Sequence, residues 1–457
     1  MSNAFDKASL VMLPHAYEDG KLYSLKPTDR SGDFTFSRGT DTATRVGEDG
    51  YIKKETSNLL LQSNTFDTTW VNYLTTETSG QSGYDGSSDA WLLTKSGANG
   101  TIYQNKSSSG VQTISVYAKK NTNSWLQIYA VGSPNVRAYY DLENGVLGGY
   151  VFNAIDRKIE DIGSGWYRCS VTFNSSLSAI RLYPSDGNND ESGTSGSIYI
   201  QDAQLNQGLV ADPYLETTTA PVYGGLTDNM PRLDYSGDCP SLLLEPSRTN
   251  LVEYSEYFGS YYTVNSVLNK TDNAVNSPEG VQNATLISEN TYSSAIPSIS
   301  TGNRYSLSGY QTLTLYVKPE NNARYFGISF GSNAQRLRTT FDFENNTFNT
   351  ILYNGDVANG SLSYEELQNG WYRIIVTANF VTLATGSGIQ FAFLATNTYL
   401  FYAFQSSDNR QFYIYGLQVE QGSYPTSYIP TYGSAQTRAK DVVFGAGDVN
   451  TFNSIEG

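Results

Sequence analysis

The chain has 457 residues, more than the roughly 250 to 300 at which one hydrophobic core stops growing, so two or more domains are expected. Acidic residues outnumber basic ones 44 to 29, giving a net charge of -15 and a pI of about 4.6, opposite in sign to the basic stripe that phosphate backbones require, so nucleic acid is excluded as a partner. Only 16% of residues are charged, against 36 Tyr, 20 Phe and 5 Trp, a balance that suits aromatic-lined strands and polar turns.

In residues 1–57 the longest apolar run, Leu10 to Leu13, is too short for a secretory leader or a membrane span, and no 18-residue apolar stretch follows. The expectation is a soluble chain with no Sec signal and no membrane insertion. The only histidine, His15, lies here beside Pro14, outside the blocks described next, so no Ser-His-Asp or Cys-His arrangement can be built within them and a histidine metal cluster is excluded by counting. Cys169 and Cys239 allow at most one disulfide, so no disulfide framework holds the chain.

From residue 58 onward the chain repeats itself. Asn58 to Phe66 returns as Asn250 to Phe258, Thr113 to Lys119 as Thr312 to Lys318, Asp141 to Asn144 as Asp342 to Asn345, and Gly165 to Arg168 as Gly370 to Arg373. Gln204 and Gly208 pair with Gln418 and Gly422. The order is kept while the offset only grows, the pattern of one fold whose second copy has longer loops. Within the blocks apolar residues alternate: Ile114, Val116 and Ala118 share a face, as do Leu313, Leu315 and Val317. Cys169 occupies the position of Ile374 and reads as a small core residue. Glu143-Asn144-Gly145 and Glu344-Asn345-Asn346 fall between strand patterns, where Asn and Gly supply the positive φ of a hairpin.

Short alternating strands with no sustained 3.6-residue period predict an all-β chain: two tandem antiparallel jelly-roll-like β-sandwiches behind an N-terminal docking segment. The expected boundaries are 1–57 for that segment, 58–215 for the first sandwich, 216–249 for an ordered connector, 250–431 for the second sandwich and 432–457 for a C-terminal edge, the start of a further module.

Chemistry is sparse. No phosphate-cradling loop or dinucleotide fingerprint appears, and no cofactor, metal or catalytic residue is assigned. Asp141 with Glu143 and Asp342 with Glu344 could serve a glycosidase only if paired across a cleft; at a hairpin they read as turn residues. The acidic run from Asp186 to Glu191 lacks EF-hand spacing and reads as a solvated loop, and Asp202 is a candidate calcium ligand with Gly416 as its counterpart. Trp166, Tyr167 and Arg168, with Trp371, Tyr372 and Arg373, read as structural anchors at strand starts. Tyr117 and Tyr316 on the polar strand faces, with Lys119 and Lys318 two residues further on, are the candidates for binding or subunit contact.

Three phrases, Asp33 to Thr40, Cys239 to Leu251 and Gly422 to Thr431, together resemble phrases of tailed-phage structural proteins, most closely the fibre-type virion proteins of crAss-like phages, where they bracket modules similar to carbohydrate-binding modules. In the first copy the last phrase departs from this pattern, keeping only Gly208, Tyr214 and Thr217. The resemblance implies a non-enzymatic head or tail fibre on the outer surface of the virion, often trimeric, with capsid or tail proteins as partners and a host glycan as ligand. The other readings are a stand-alone tandem carbohydrate-binding protein and a capsular polysaccharide depolymerase.

Overall fold

The computed structural model describes residues 4–237, 239–397, 404–406 and 408–447. Its regular elements are almost all antiparallel strands, and no helix of the described residues is long and apolar enough to cross a membrane. Residues 56–224 form one compact unit; residues 4–55 and 225–447 belong to the other.

The first unit is a two-sheet sandwich. One six-stranded sheet runs Val146–Phe152, Val136–Asp141, Trp125–Ser133, Ser176–Ser185, Thr101–Ser108, Val71–Tyr73. The other runs Asp156–Gly163, Trp166–Asn174, Val111–Lys120, Gly196–Gln207, Ala90–Lys95, Thr75–Gln81. The alternation seen in the sequence sends Ile114, Val116, Ala118, Cys169, Val171 and Phe173 into the shared core with Ile102, Ile128, Ile180 and Leu182. Burying each of the larger apolar side chains contributes about 1.5–3 kcal/mol. Cys169 is wholly buried, which pushes its thiol well above the ordinary range, so it is the core residue its Ile374 counterpart suggests; Cys239 is exposed and the two are not bonded.

The second unit repeats this order. Its first sheet runs Val357–Glu366, Tyr372–Leu394, Tyr305–Glu320, Gln411–Gln421, Gln282–Glu289, Leu268–Asn276. The strand Tyr372–Leu394 is long enough to serve both sheets. Its beginning pairs with Tyr305–Glu320, and its end pairs with Tyr325–Gly331 and Ser298–Ser300. In the first unit two strands, Trp166–Asn174 and Ser176–Ser185, do the same work. Register agrees as well: Val116 faces Cys169 where Leu315 faces Ile374, and Tyr117 faces Arg168 where Tyr316 faces Arg373.

The repeated polar residues tie each copy shut. Asn58 and Asn250 are fully buried at the first turn of their sandwiches, and Ser63 and Ser255 bond Tyr214 and Tyr428 at 2.7 and 2.6 Å. Gln204 Oε1 accepts from the Leu215 N–H at 2.9 Å, and Gln418 Oε1 from the Ile429 N–H at 2.7 Å. The hairpins are as expected. Asp141 accepts from the N–H groups of Glu143 and Asn144, Asp342 accepts from that of Glu344, and Gly145 and Asn346 hold positive φ.

Residues 4–55 belong to the same unit as the second sandwich. Val11–Glu18, Lys21–Lys26 and Phe34–Ser37 form a sheet whose fourth strand is Val442–Phe444, so the described parts of the expected docking segment and C-terminal edge fold together. Buried charges join them to the connector. Arg38, Arg232 and Arg438 meet Asp441 and Glu245: Arg38 lies 3.4 Å from Asp441, Arg232 bonds Asp441 and lies 2.9 Å from Glu245, and Arg438 lies 2.8 Å from Glu245. Burial alone would raise the Glu245 carboxyl, but Arg438 and Arg232 hold it below its ordinary value. The described residues of 216–249 include short strands at Val222–Gly225, Arg232–Asp234 and Ser241–Leu243. The last ten residues of the expected C-terminal edge, 448–457, lie outside the described residues.

Candidate functional site

Tyr117 and Tyr316 sit on the side of the sheet away from the core, as alternation predicts, but neither ring faces solvent: they are 9% and 4% exposed. Tyr84 stacks flat on Tyr117 with centroids 3.9 Å apart and planes 6° apart, and Trp166 and Tyr199 close the same small cluster. Tyr316 packs with Tyr415, Tyr428, Trp371 and Ile52. A second apolar layer therefore covers the outer face at these positions, and the rings expected to meet partners belong to that layer. Lys119 and Lys318 remain half-exposed at the strand ends.

The anchors are assembled as a unit in both copies. Trp166 and Trp371 are buried, and Tyr167 and Tyr372 pack half-buried against the main cores. Arg168 lies 5.6 Å from the Tyr117 ring centroid and donates to the carbonyl of Asp212; Arg373 lies 5.8 Å from that of Tyr316 and donates to the carbonyl of Thr426. Each guanidinium pins the segment that returns after the last strand.

The sheet carrying Tyr117 has a bulge. Ser115 faces Gln204 but Tyr117 faces Gln201, and Thr314 faces Gln418 but Tyr316 faces Tyr415. The extra residue has positive φ in both copies, 53° at Asp202 and 62° at Gly416, where a Cβ would come 2.8 Å from Tyr316. Asp202, the candidate calcium ligand, is buried and accepts a 2.9 Å bond from the Tyr84 hydroxyl. Burial, reinforced by Asp89 and Asp85 and opposed by bonds from Tyr84 and Tyr214, raises its carboxyl to about 6. In the acidic loop Asp186 is held by Lys95 at 2.6 Å and by the Gly193 N–H at 2.9 Å. Among the described residues no group of three or more His, Cys, Asp or Glu is placed to hold a metal ion.

The outer face of the other sheet of the first sandwich is different: its row Gln127, Tyr139 and Tyr183 is buried, but the row two residues along is not. Pairing places one residue from each of six strands in a single row, Val71, Tyr103, Arg181, Tyr129, Arg137, Phe152. Their neighbours Ile102, Leu182, Ile128 and Ala138 point into the core, so the row points out. At the strand spacing of about 4.8 Å it spans about 24 Å. Val71 and Phe152 are exposed and the four central side chains half-exposed. Arg181 lies over the Tyr103 ring at 5.1 Å and Arg137 over Tyr129 at 4.6 Å, and neither guanidinium has a carboxylate partner among the described residues. From Tyr103 to Phe152 the strands thus carry rings and cations in turn, with a planar cation over one face of Tyr103 and of Tyr129.

The corresponding row of the second sandwich, Ser300, Gln390, Ser329, Arg338, Leu352, contains no ring. The platform belongs to one copy, and for this reason residues chosen because they recur do not include it. The signal in the sequence is the tyrosines at the polar positions of their strands, Tyr103 and Tyr129, with no counterpart in the second copy.

No family model and no curated protein matches the chain. Among solved structures, it is similar to the CBM22-1–CBM22-2 tandem domain of Xyn10C from Paenibacillus barcinonensis at 10% identity and TM-score 0.25, over 80% of this chain and 97% of that one. It is also similar to a truncated AlyQ with CBM32 and alginate lyase domains at 10% identity and TM-score 0.19, over 77% of this chain and 98% of that one. Likeness at this level assigns neither a site nor a ligand.

Proposed function

We propose that this chain is a non-enzymatic glycan-binding protein whose contact surface is the row from Val71 to Phe152. The observation that carries the reading is the row itself: three rings and two guanidiniums aligned across one rigid sheet. Aromatic faces pack on the apolar faces of pyranose rings, and Arg edges donate to hydroxyls. A sheet holds them in place with little ordering cost on binding. The engagement of Asp141 and Asp342 in turns supports a role without catalysis.

The finer reading is a head or tail fibre on the outer surface of a phage particle. It is supported by the phrases Asp33 to Thr40, Cys239 to Leu251 and Gly422 to Thr431, which lie in the unit that holds residues 4–55 together with the second sandwich. In a trimer, three weak platforms would act together, because later contacts form at high effective concentration.

The test is a glycan array probed with the full chain and with Tyr129→Ala. The wild type is expected to bind a subset of glycans, and the variant to lose about tenfold or more, the cost of one stacking contact. An array on which the wild type binds nothing overturns the glycan reading. Absence of the chain from purified particles overturns the fibre reading, and a monomeric mass by light scattering overturns the trimer.

A further inference from the structure

On a chain of net charge -15, two guanidiniums stand on this one face with no carboxylate in their row. Arg181 lies between Tyr103 and Tyr129, and Arg137 between Tyr129 and Phe152. Of the five N–H donors of a guanidinium, Arg137 directs one to the Tyr129 hydroxyl and the Nε of Arg181 is buried, which leaves the Nη groups to meet a carboxylate.

The spacing adds to this. The two arginines are two strands apart, about 10 Å, and so are successive rings of the row. A pyranose in an extended chain advances by a distance close to one strand spacing. A glycan lying across the strands would therefore meet ring, cation, ring, cation, ring at successive sugars. At the Val71 edge the face runs into a groove of about 370 Å³ that includes Lys106 and Asn105, which continues the positive side.

We infer that the row selects an extended anionic glycan bearing a carboxylate on every second sugar, with neutral sugars over Tyr103, Tyr129 and Phe152 and acidic sugars over Arg181 and Arg137. This rests on the glycan reading above and narrows it to a class. The charge comes from the ligand's own carboxylates, so non-specific attraction to the protein, which is acidic overall, does not contribute.

The experiment is calorimetric titration of the full chain with three hexasaccharides: hyaluronan, its carboxyl-reduced form, and polymannuronate, in which every sugar is acidic. Hyaluronan is expected to bind about 10- to 100-fold more tightly than its reduced form, the range of one or two charge-assisted hydrogen bonds, and the difference should narrow with added salt. Arg137→Gln and Arg181→Gln, with unchanged near-ultraviolet circular dichroism, should each remove most of that difference while leaving the reduced form's affinity as it was. Equal binding of the two hyaluronan forms overturns the inference and leaves the glycan reading intact. Polymannuronate binding as tightly as hyaluronan overturns the alternation. Failure of every saccharide, here and on the array, overturns both readings. Loss of oligomeric mass in either arginine variant would assign the face to subunit contact and overturn the inference.

Discussion

Asn58 and Asn250 hold the same four hydrogen bonds in two different sandwiches. Asn58 Nδ2 donates to the carbonyls of Ala203 and Leu215 at 3.1 and 2.8 Å, and its Oδ1 accepts from the N–H groups of Leu60 and Leu205, both at 3.2 Å. Asn250 does this with Leu417, Ile429, Val252 and Val419 at 3.2, 2.9, 3.1 and 3.1 Å. Each amide thereby fastens the entering strand to the last strand and to the segment that follows it.

Removing either amide should open its own sandwich. Asn58→Ala or Asn250→Ala leaves two buried N–H donors and two carbonyls unmatched, a cost of about 3 kcal/mol. Four of the five tryptophans, Trp70, Trp91, Trp125 and Trp166, lie in the first sandwich, so its unfolding dominates the fluorescence signal. Asn58→Ala should move the denaturant midpoint of that signal, and Asn250→Ala should move it much less. Equal shifts from both variants would contradict separate latches.

Asp441 is the shared counter-ion of Arg38 and Arg232, and all three side chains are buried. Asp441→Asn should destabilise the unit containing residues 4–55 and 225–447 by about 3 kcal/mol, because it removes the carboxylate paired with buried Arg38 and leaves Arg232 only Glu245. Limited proteolysis should then cut within 4–55 and within 432–447 together, since one network holds both. Cutting confined to one of these segments would show that they are held independently.

Glu256 should make the same unit more stable in mild acid. It accepts from the hydroxyls of Tyr415, Tyr428 and Tyr432, and Lys54 lies 3.6 Å away but only 2.8 Å from Glu279, so one ammonium serves two carboxylates. Burial, opposed by Lys54 and reinforced by Glu279, pushes Glu256 from its ordinary 4.5 up to about 7. A carboxyl raised on folding stabilises fully below its unfolded value and loses that contribution as pH rises through its folded value. Stability should therefore fall by about 2–3 kcal/mol between pH 4.5 and 8. Glu256→Gln keeps an acceptor for the three hydroxyls and should flatten this part of the profile; an unchanged slope in that variant would assign the dependence elsewhere.

The legible part of the molecule was what repeats or alternates. Register within a copy follows from period two, so the side of the sheet taken by Cys169, Tyr117 or Tyr316 could be read from neighbours one or two positions away. What covers that side could not: Tyr84 reaches Tyr117 from a loop, and Ile52 reaches the Tyr316 cluster from the segment before the second copy's own strands. Recurrence between copies also selects for what every copy needs to fold, and Asn58, Ser63, Arg168 and Gln204 are latches for that reason.

The class of fold, its duplication and the side of the sheet on which each strand residue lies can be read from the amino acids alone, because these depend on spacing along one strand or on comparison of one stretch with another. Tertiary structure decided which side chains become neighbours. Tyr103, Arg181, Tyr129, Arg137 and Phe152 are far apart and out of order along the chain, and only the strand order of the sheet, fixed by closure of the core beneath it, sets them about 4.8 Å apart in a single row.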